Sequence, residues 1–588
     1  MEPRVTKRER KLHLSYELPH RVHCTRLYPV KSSNGSTVII YGHDRGIRIL
    51  WRGGRVPREP LEQAQEANGI KSTDIVVVDS DDVKPSATEG LVDTSIDEKE
   101  ELDPDCPYPS IISEVDVDVG AAVLHLAVPS LPLSIQQSSP LFNSHALVAL
   151  ACSNGQTVVI NVPLTPPRDA TIRELPQYIL ESRIDLPQST TLCRSLAVHV
   201  HIAVDDDNAE TVHSSCSLLV ASVAETLHIA KLPIVTGQLP QESDARMIEH
   251  RLEHLGKKVN FHPSSHSSQV LVTDVSGAVR VFDPTATQST SYRPGSRDSA
   301  HPDQTQSQGL GRWTVSFNSA YVRDAHAFPR RKQVLDAAWI LSGRAVLMLL
   351  EDGEWGIWDV SGSLKGGKGI QDFVLRGYLG SVGTESVPVA QQKKGSSKLA
   401  PMTPNTRKAK AEDLFAGPTK VAGVAPNGFI SITQSTTRTG QSDESVLMNF
   451  GSELYSIPSL QTFWQRSTAT TSSGALYSSG LTHLSDINLM GENITSTAQF
   501  GANSSSANLG QMNTQRDILV SAEHRLIILQ NLRPPTPSRA LFQKAVEQPT
   551  ARDQRMLDAG ELDVGGMDRM LDNLANNTNH PRRVGFAH

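Results

Sequence analysis

The sequence predicts an all-β fold, a seven-bladed β-propeller, and three observations carry that expectation. A two-strand hairpin recurs seven times along the 588 residues. The strand before each turn is an almost continuous apolar run, whereas the strand after it alternates. Further β-branched segments precede most of the hairpins. A buried strand, a tight turn and an alternating outer strand, with more strand upstream, make the unit of a propeller blade. Repetition on this scale is the signature of such folds.

The hairpins follow in chain order. Residues 38–41 and 47–51 flank Gly42-His43-Asp44-Arg45-Gly46, and residues 146–152 and 157–162 flank a turn holding Ser153-Asn154-Gly155. The third pairs residues 217–223 with 226–232, and the fourth pairs 269–274 with 278–283 across Val275-Ser276-Gly277. The fifth pairs 345–350 with 354–360 across Glu351-Asp352-Gly353. The sixth pairs 445–450 with 453–458, and the seventh pairs 516–521 with 525–532. Each turn carries Asn, Asp, Ser or Gly, or a charged pair, which suits the backbone of short hairpin loops. Apolar runs fit strands covered on both faces, and alternation fits a strand with one face in solvent. Upstream strands are expected at residues 22–28, 115–128, 196–204, 257–261, 334–340 and 421–433. A β-sandwich or two separate β domains is the competing fold, but seven similar hairpins exceed what one sandwich needs. Either residues 12–18 or residues 22–28 complete the last blade.

Blade spacing is uneven because long segments intervene: an acidic one over about 57–109, a Ser/Thr/Gln/Pro-rich one over 285–311, a Gly/Ser/Lys-rich one over 361–410 and a Ser/Thr/Asn-rich one over 465–513. Such compositions bury too little apolar surface to offset chain entropy, so disordered insertions are expected. The domain plan is a basic N-terminal arm (1–10), a propeller (11–532) and a helix-compatible tail (533–588) that starts with Arg533-Pro534-Pro535-Thr536-Pro537. Prolines there stop the last strand by removing amide donors.

Composition narrows the function. There are 56 Lys+Arg against 63 Asp+Glu, a net charge of −7, which argues against a protein that coats nucleic acid with a cationic field. The apolar fraction is 38%, and 40 glycines bring it to about 45%, the globular average. Five scattered cysteines, with no C-x-x-C pair, fit a reducing compartment without a disulfide frame or zinc site. No apolar stretch follows the basic residues Arg4, Lys7, Arg8, Arg10 and Lys11, so no signal peptide is expected. Residues 345–350 are the nearest approach to a membrane span and end at Glu351-Asp352, so no membrane insertion is expected.

The repeats resemble degenerate WD-type repeats. The fifth carries the dipeptide itself in Gly353-Glu354-Trp355-Gly356-Ile357-Trp358-Asp359, and the fourth has Gly277-Ala278-Val279-Arg280-Val281-Phe282-Asp283, with Phe in the Trp place. The resemblance implies an aromatic that fills space between blades and an acid that organises turn hydrogen bonds. The other five hairpins lack that Asp. More narrowly, the chain resembles a fungal form of the thirty-seven-kilodalton WD nucleoporins, propellers of the Y-shaped outer-ring subcomplex of the nuclear pore. The residues concerned are Ala338-Trp339-Ile340-Leu341-Ser342-Gly343-Arg344 with residues 351–359, and the tail stretch 560–572. That resemblance implies a non-enzymatic scaffold subunit at the nuclear envelope, docked on a large stem nucleoporin, without cofactor or metal.

Several motifs compete with blander readings. Residues 362–369 (Gly-Ser-Leu-Lys-Gly-Gly-Lys-Gly) match a phosphate loop until Gly369 replaces the hydroxyl that would hold magnesium, so a flexible basic loop is preferred. His199 and His201 share a strand face before Asp205-Asp206-Asp207, and a third ligand would make a metal site. Two strand histidines ahead of a polar turn are commoner. Ile75-Val76-Val77-Val78, between Asp74 and Asp79-Ser80-Asp81-Asp82, resembles a SUMO-interacting motif, which adds a strand to a partner's sheet edge while its acids meet a basic rim. Lys393-Lys394 and Arg407-Lys408-Ala409-Lys410 are spaced like a bipartite nuclear import signal. In the tail, Met567, Met570, Leu571 and Leu574 fall at i, i+3, i+4 and i+7 of a helix, one apolar stripe that needs a groove to fold against. The groove belongs either to the propeller or to a partner. No H-E-x-x-H or G-x-S-x-G occurs. The leading function is a nuclear pore scaffold, and the alternatives are an adaptor presenting substrates to a ubiquitin ligase or signalling assembly, or a propeller hydrolase.

Overall fold

The computed structural model describes residues 1–8, 11–55, 108–132, 135–136, 139–168, 171–187, 191–204, 214–234, 245–286, 311–322, 329–361, 373–379, 427–436, 442–469, 480–485, 487–501 and 516–531, together with 565 and 568. The chain divides into two compact units, Met1–Leu532 and Arg533–His588. Gly565 and Asp568, in the second, are helical.

The first unit is a seven-bladed propeller of antiparallel sheets. Blade 1 holds β3 (Cys24–Leu27), β4 (Thr37–Gly42), β5 (Gly46–Arg52) and β6 (Ile111–Asp118) in that order. Blade 2 holds β7 (Val123–Ala127), β8 (His145–Cys152), β9 (Thr157–Pro163) and β10 (Ile184–Leu186). Blade 3 runs β11 (Ser195–Val204), β12 (Ser214–Val223), β13 (Thr226–Ile234) and β14 (Arg246–Arg251). Blade 4 runs β15 (Gly256–Phe261), β16 (Val270–Asp274), β17 (Ala278–Asp283) and β18 (Arg312–Asn318). Blade 5 has β19 (Val334–Ile340), β20 (Ala345–Leu350), β21 (Glu354–Asp359) and β22 (Leu375–Tyr378), and blade 6 has β23 (Gly428–Thr436), β24 (Ser442–Phe450), β25 (Glu453–Ile457) and β26 (Thr482–Leu484). Blade 7 is β27 (Ile494–Gln499), β28 (Ile518–Ala522), β29 (Arg525–Asn531), β2 (Lys11–Glu17) and β1 (Arg4–Arg8). Among the described residues, three short helices sit in the connections: α1 (Leu141–Ser144), α2 (Leu175–Glu181) and α3 (Leu460–Ala469). The first strands β3, β7, β11, β15, β19, β23 and β27 each contact the next, and β27 contacts β3, so the ring closes.

All seven predicted hairpins are present, and each is the second and third strand of its blade. Their expected position at the outer half is corrected accordingly: one strand lies inside and another outside. The third strands are mostly buried, and it is fourth strands such as β14, β18 and β22 that alternate, because one of their faces meets solvent. The single strand expected over 115–128 is two, β6 and β7 in different blades, broken by Gly120 at φ +82°. The expected insertions of 361–410 and 465–513 contain β22, β26 and β27, which their polar composition hides. The rest of those insertions lies mainly outside the described residues.

The core is a set of apolar layers between blades rather than one central mass. Blades 1, 2 and 3 share a cluster around Trp51, Phe142 and Leu218, and blades 3 and 4 one around Phe282. Trp358 sits between blades 4 and 5, Trp355 and Phe463 between 5 and 6, Leu447 and Leu529 between 6 and 7, and Leu14 and Tyr41 between 7 and 1. This bears out the role expected of the repeat aromatics: Phe282 packs on His250 of blade 3, and Trp358 on Phe317 of blade 4. The Asp283 carboxylate accepts from the Thr285 N–H and hydroxyl at 3.0 and 2.7 Å, organising the turn. Gly277, at φ +84°, lets its hairpin turn pass the Lys332 carbonyl, which an added Cβ would meet at 2.5 Å.

Individual polar groups also tie blade to blade. Trp51 Nε1 donates to the Leu164 carbonyl at 2.9 Å. The buried Asp336 carboxylate accepts the Ile430 N–H at 2.8 Å, and Glu444 accepts the N–H groups of Leu341 and Ser342 at 2.6 and 2.8 Å. Both of those residues are left-handed, φ 53° and 56°, a backbone that persists only where its surroundings hold it.

Closure uses both ends of the unit. β2 pairs with β29 along its whole length, from Lys11↔Asn531 to Glu17↔Arg525. The alternative for this role, residues 22–28, instead forms the first strand of blade 1. Leu14 and Tyr16 are fully buried against blade 1, and the buried Arg52 reaches back to Gln530 at 3.3 Å and stacks 4.8 Å from the Phe500 ring centroid. Truncating Leu14 leaves a cavity in this closing layer. Leu14→Ala should lower unfolding stability by about 2–5 kcal/mol, and Thr6→Ala on the exposed β1 by under about 0.5 kcal/mol. Urea titration of both variants measures this, and equal midpoints would contradict the closure.

Candidate functional site

Most of the residues that the sequence singles out lie outside the described residues. Ile75, Val76, Val77 and Val78, the tail residues Met567, Met570, Leu571 and Leu574, the phosphate-loop-like 362–369 and both basic clusters lie outside the described residues. His199 and His201 are described, on β11. His199 is buried, stacks on Phe261 and donates Nε2–H to the Ser264 carbonyl at 3.1 Å, tying blade 3 to blade 4. Burial, reinforced by His201, pushes its pKa down to about 4. Its Nε2 is committed to a structural bond, and Asp205-Asp206-Asp207 lies outside the described residues. The pair serves packing.

A different histidine pair converges on an acid. His20, on the link from β2 to β3, and His43, in the β4–β5 turn, stack with ring centroids 4.4 Å apart. Each Nε2 lies 3.1 Å from one oxygen of Asp116 on β6, and the three ligand atoms fall within 4.8 Å of one another. The spacing alone would admit a divalent cation. His43 Nδ1, however, accepts the Arg45 N–H at 3.3 Å, which leaves the proton on Nε2, directed at Asp116. A metal at Nε2 would need that proton on Nδ1 instead, facing a donor. The trio is therefore a hydrogen-bonded clasp that fastens the ring-closing link to blade 1. Its members are up to 96 residues apart in sequence and follow no ligand spacing, so no sequence motif announces them.

Among the described residues, no cysteine is poised as a nucleophile. Cys24, Cys152 and Cys193 are buried, and desolvation pushes their thiols up to about 12, 11 and 11. At neutral pH such thiols stay protonated and inert.

What the ring offers is surface. Between blades 6 and 7 runs a slot of about 20 Å³, room for one water-sized group, lined in part by Lys11, Ser445, Thr482, Gln499, Arg516 and Asn531. Burial pushes the Arg516 pKa down, opposed by Asp443. Arg516 donates to the Gln434 carbonyl at 3.4 Å and has no carboxylate in ion-pair contact among the described residues. Beyond it, β1 is exposed along its full length. A closed ring with an open strand edge offers surface on which partners can be held.

The comparisons agree with that reading. A family model described as the Nucleoporin NUP37 N-terminal domain matches residues 15–529, from within β2 to within β29. Nucleoporin NUP37 of Chaetomium thermophilum is 28% identical over 611 aligned residues, which cover 91% of this chain and 80% of that protein.

Neutral buried histidines make the ring acid-sensitive. His125 and His199 are both pushed down to about 4 by burial, so the stability they contribute is complete above the unfolded value of about 6.5 and is lost as pH falls toward 4. Asp336 and Glu444, which burial pushes up, act in the opposite sense, so the informative quantity is a difference between variants. His199→Asn should flatten the fall in melting temperature between pH 6.5 and 4, and an unchanged slope would remove His199 from the cause.

Proposed function

Because the chain belongs to the Nucleoporin NUP37 family, and so is a structural, non-enzymatic subunit of the nuclear pore complex at the nuclear envelope, we propose that its ring docks on a large stem nucleoporin of the outer-ring subcomplex. The observation that carries this is the extent of the match: it takes in strands of all seven blades, so the ring itself is the shared part. A closed ring whose blades are tied by buried polar bonds keeps its surface fixed, which lowers the entropy lost on binding. The tail stripe of Met567, Met570, Leu571 and Leu574 adds a second contact, folding as a helix into a partner groove. Ile75, Val76, Val77 and Val78 offer a strand for SUMO.

Affinity purification of the tagged chain should recover a large helical stem nucleoporin, and exclusive recovery of ubiquitin-ligase subunits would replace this reading with an adaptor. A truncation ending at Leu532 should weaken that recovery while leaving the thermal transition in place. A large fall in melting temperature would assign the tail to the propeller instead.

A further inference from the structure

We propose that the outer edge of β1 is a docking strand for an acidic, extended segment of a partner protein. The inference goes beyond pore membership and does not depend on which pore subunit the ring contacts.

Among the described residues, blade 7 has five strands and the other six have four. β2 already completes the blade by pairing with β29, so β1 is not required for closure. It pairs with β2 on one side, from Arg4↔Ser15 to Arg8↔Lys11, and its five residues Arg-Val-Thr-Lys-Arg are all exposed. Only Glu9 and Arg10 separate the two strands. In a hairpin with so short a connection the closing pair, Arg8 and Lys11, exchanges both hydrogen bonds. Alternation then turns the N–H and C=O groups of Val5 and Lys7 toward the open edge. Val5, 43% exposed, lies on the same face as Lys7.

An edge strand rich in Lys and Arg can also be simple protection against unwanted pairing. β6, the charged edge of blade 1, shows what a settled edge looks like in this protein. Its Glu114, Asp116 and Asp118 are each matched on their own blade or the adjoining link, by Arg48 at 3.1 Å, by His20 and His43 at 3.1 Å, and by Arg45 at 2.7 Å. β1 carries Arg4, Lys7 and Arg8 with no acid among its own residues. Arg4 meets the exposed Glu17 at 3.2 Å, whereas Lys7 has no ion-pair partner among the described residues. Arg8 faces Lys11 across the hairpin, so two cations adjoin at that end of the strand. Free backbone groups supply affinity, and the cations select acids on alternate positions of the added strand.

The test uses the full chain and a synthetic peptide of about ten residues alternating Glu with Val, long enough to cover the edge. A matching Lys/Val peptide is the control, and fluorescence anisotropy the readout. The acidic peptide should bind at low salt and weaken sharply near 0.5 M salt, where screening is nearly complete over a few ångströms. Val5→Pro removes an outward N–H while sparing the ladder to β2, so it should weaken binding at least about tenfold without moving the melting temperature. Lys7→Glu should do the same by charge. Several results would overturn the proposal: no binding, equal binding of the Lys/Val peptide, or loss with Lys7→Glu but none with Val5→Pro, which would mean plain electrostatic adsorption. Mass growth with concentration in light scattering, abolished by the same variants, would mean that a second copy takes the edge. Recovery of pore subunits by each variant is read separately, so failure here leaves the family role intact.

Discussion

Ring closure is the constraint on which the rest of this structure depends. Each blade has two apolar faces, and neither is covered until a neighbour arrives on both sides. The buried layers between blades therefore form a circle of mutually dependent contacts, and an open ring would leave two whole faces in water. At about 25 cal/mol per Å² such faces are costly to expose. The protein closes the circle by sewing β2, from the start of the chain, to β29, from the end of the unit. Everything held on the surface inherits its rigidity from that seam, which is why the tyrosines, the buried arginine and the histidine clasp gather near it.

The polar ties explain how a degenerate repeat still makes a regular ring. Only the fourth and fifth hairpins carry the turn acid of the WD pattern. Beside it individual solutions appear: Trp51 to a carbonyl of blade 2, Asp336 of blade 5 to an amide of blade 6, Glu444 of blade 6 to a left-handed turn of blade 5. Each satisfies a buried polar group that would otherwise cost about 1–3 kcal/mol, and each fixes the angle between two blades. Specificity of assembly is thus spread over unrelated residues, which leaves the strands free to vary and the loops free to lengthen. A scaffold can diverge widely under those terms while its ring stays the same.

The hairpins were legible in the sequence because burial on both faces writes a continuous apolar run, and a tight turn writes Gly, Asn or Asp. Six of the seven inner strands overlap the upstream segments expected from the sequence, whereas the outer strands and the inner strand β27 were harder to read. β22 is a four-residue edge half in solvent, and β27 is Ile-Thr-Ser-Thr-Ala-Gln, whose Ser496, Thr497 and Gln499 are buried despite their polarity, Gln499 donating to the Ser445 carbonyl of blade 6 at 3.3 Å. Composition alone reads both as loop. The His20–His43–Asp116 clasp was illegible for another reason: its partners come from a link, a turn and a strand that only the closed ring brings together. The basic residues at the N-terminus were visible as charge, but their place on a fifth strand is a fact of pairing. The recurring aromatic positions, by contrast, went where the repeat resemblance put them.

Hydrogen exchange at the amides of β2 tests the closure most directly. If the seam holds the ring, the amides of Lys11–Glu17 that pair with β29 exchange as slowly as those of β28 and β29, and all three lose protection together as denaturant rises. Fast exchange of β2, with β28 and β29 still protected, would show that the ring stands without its N-terminal strand and would contradict the account.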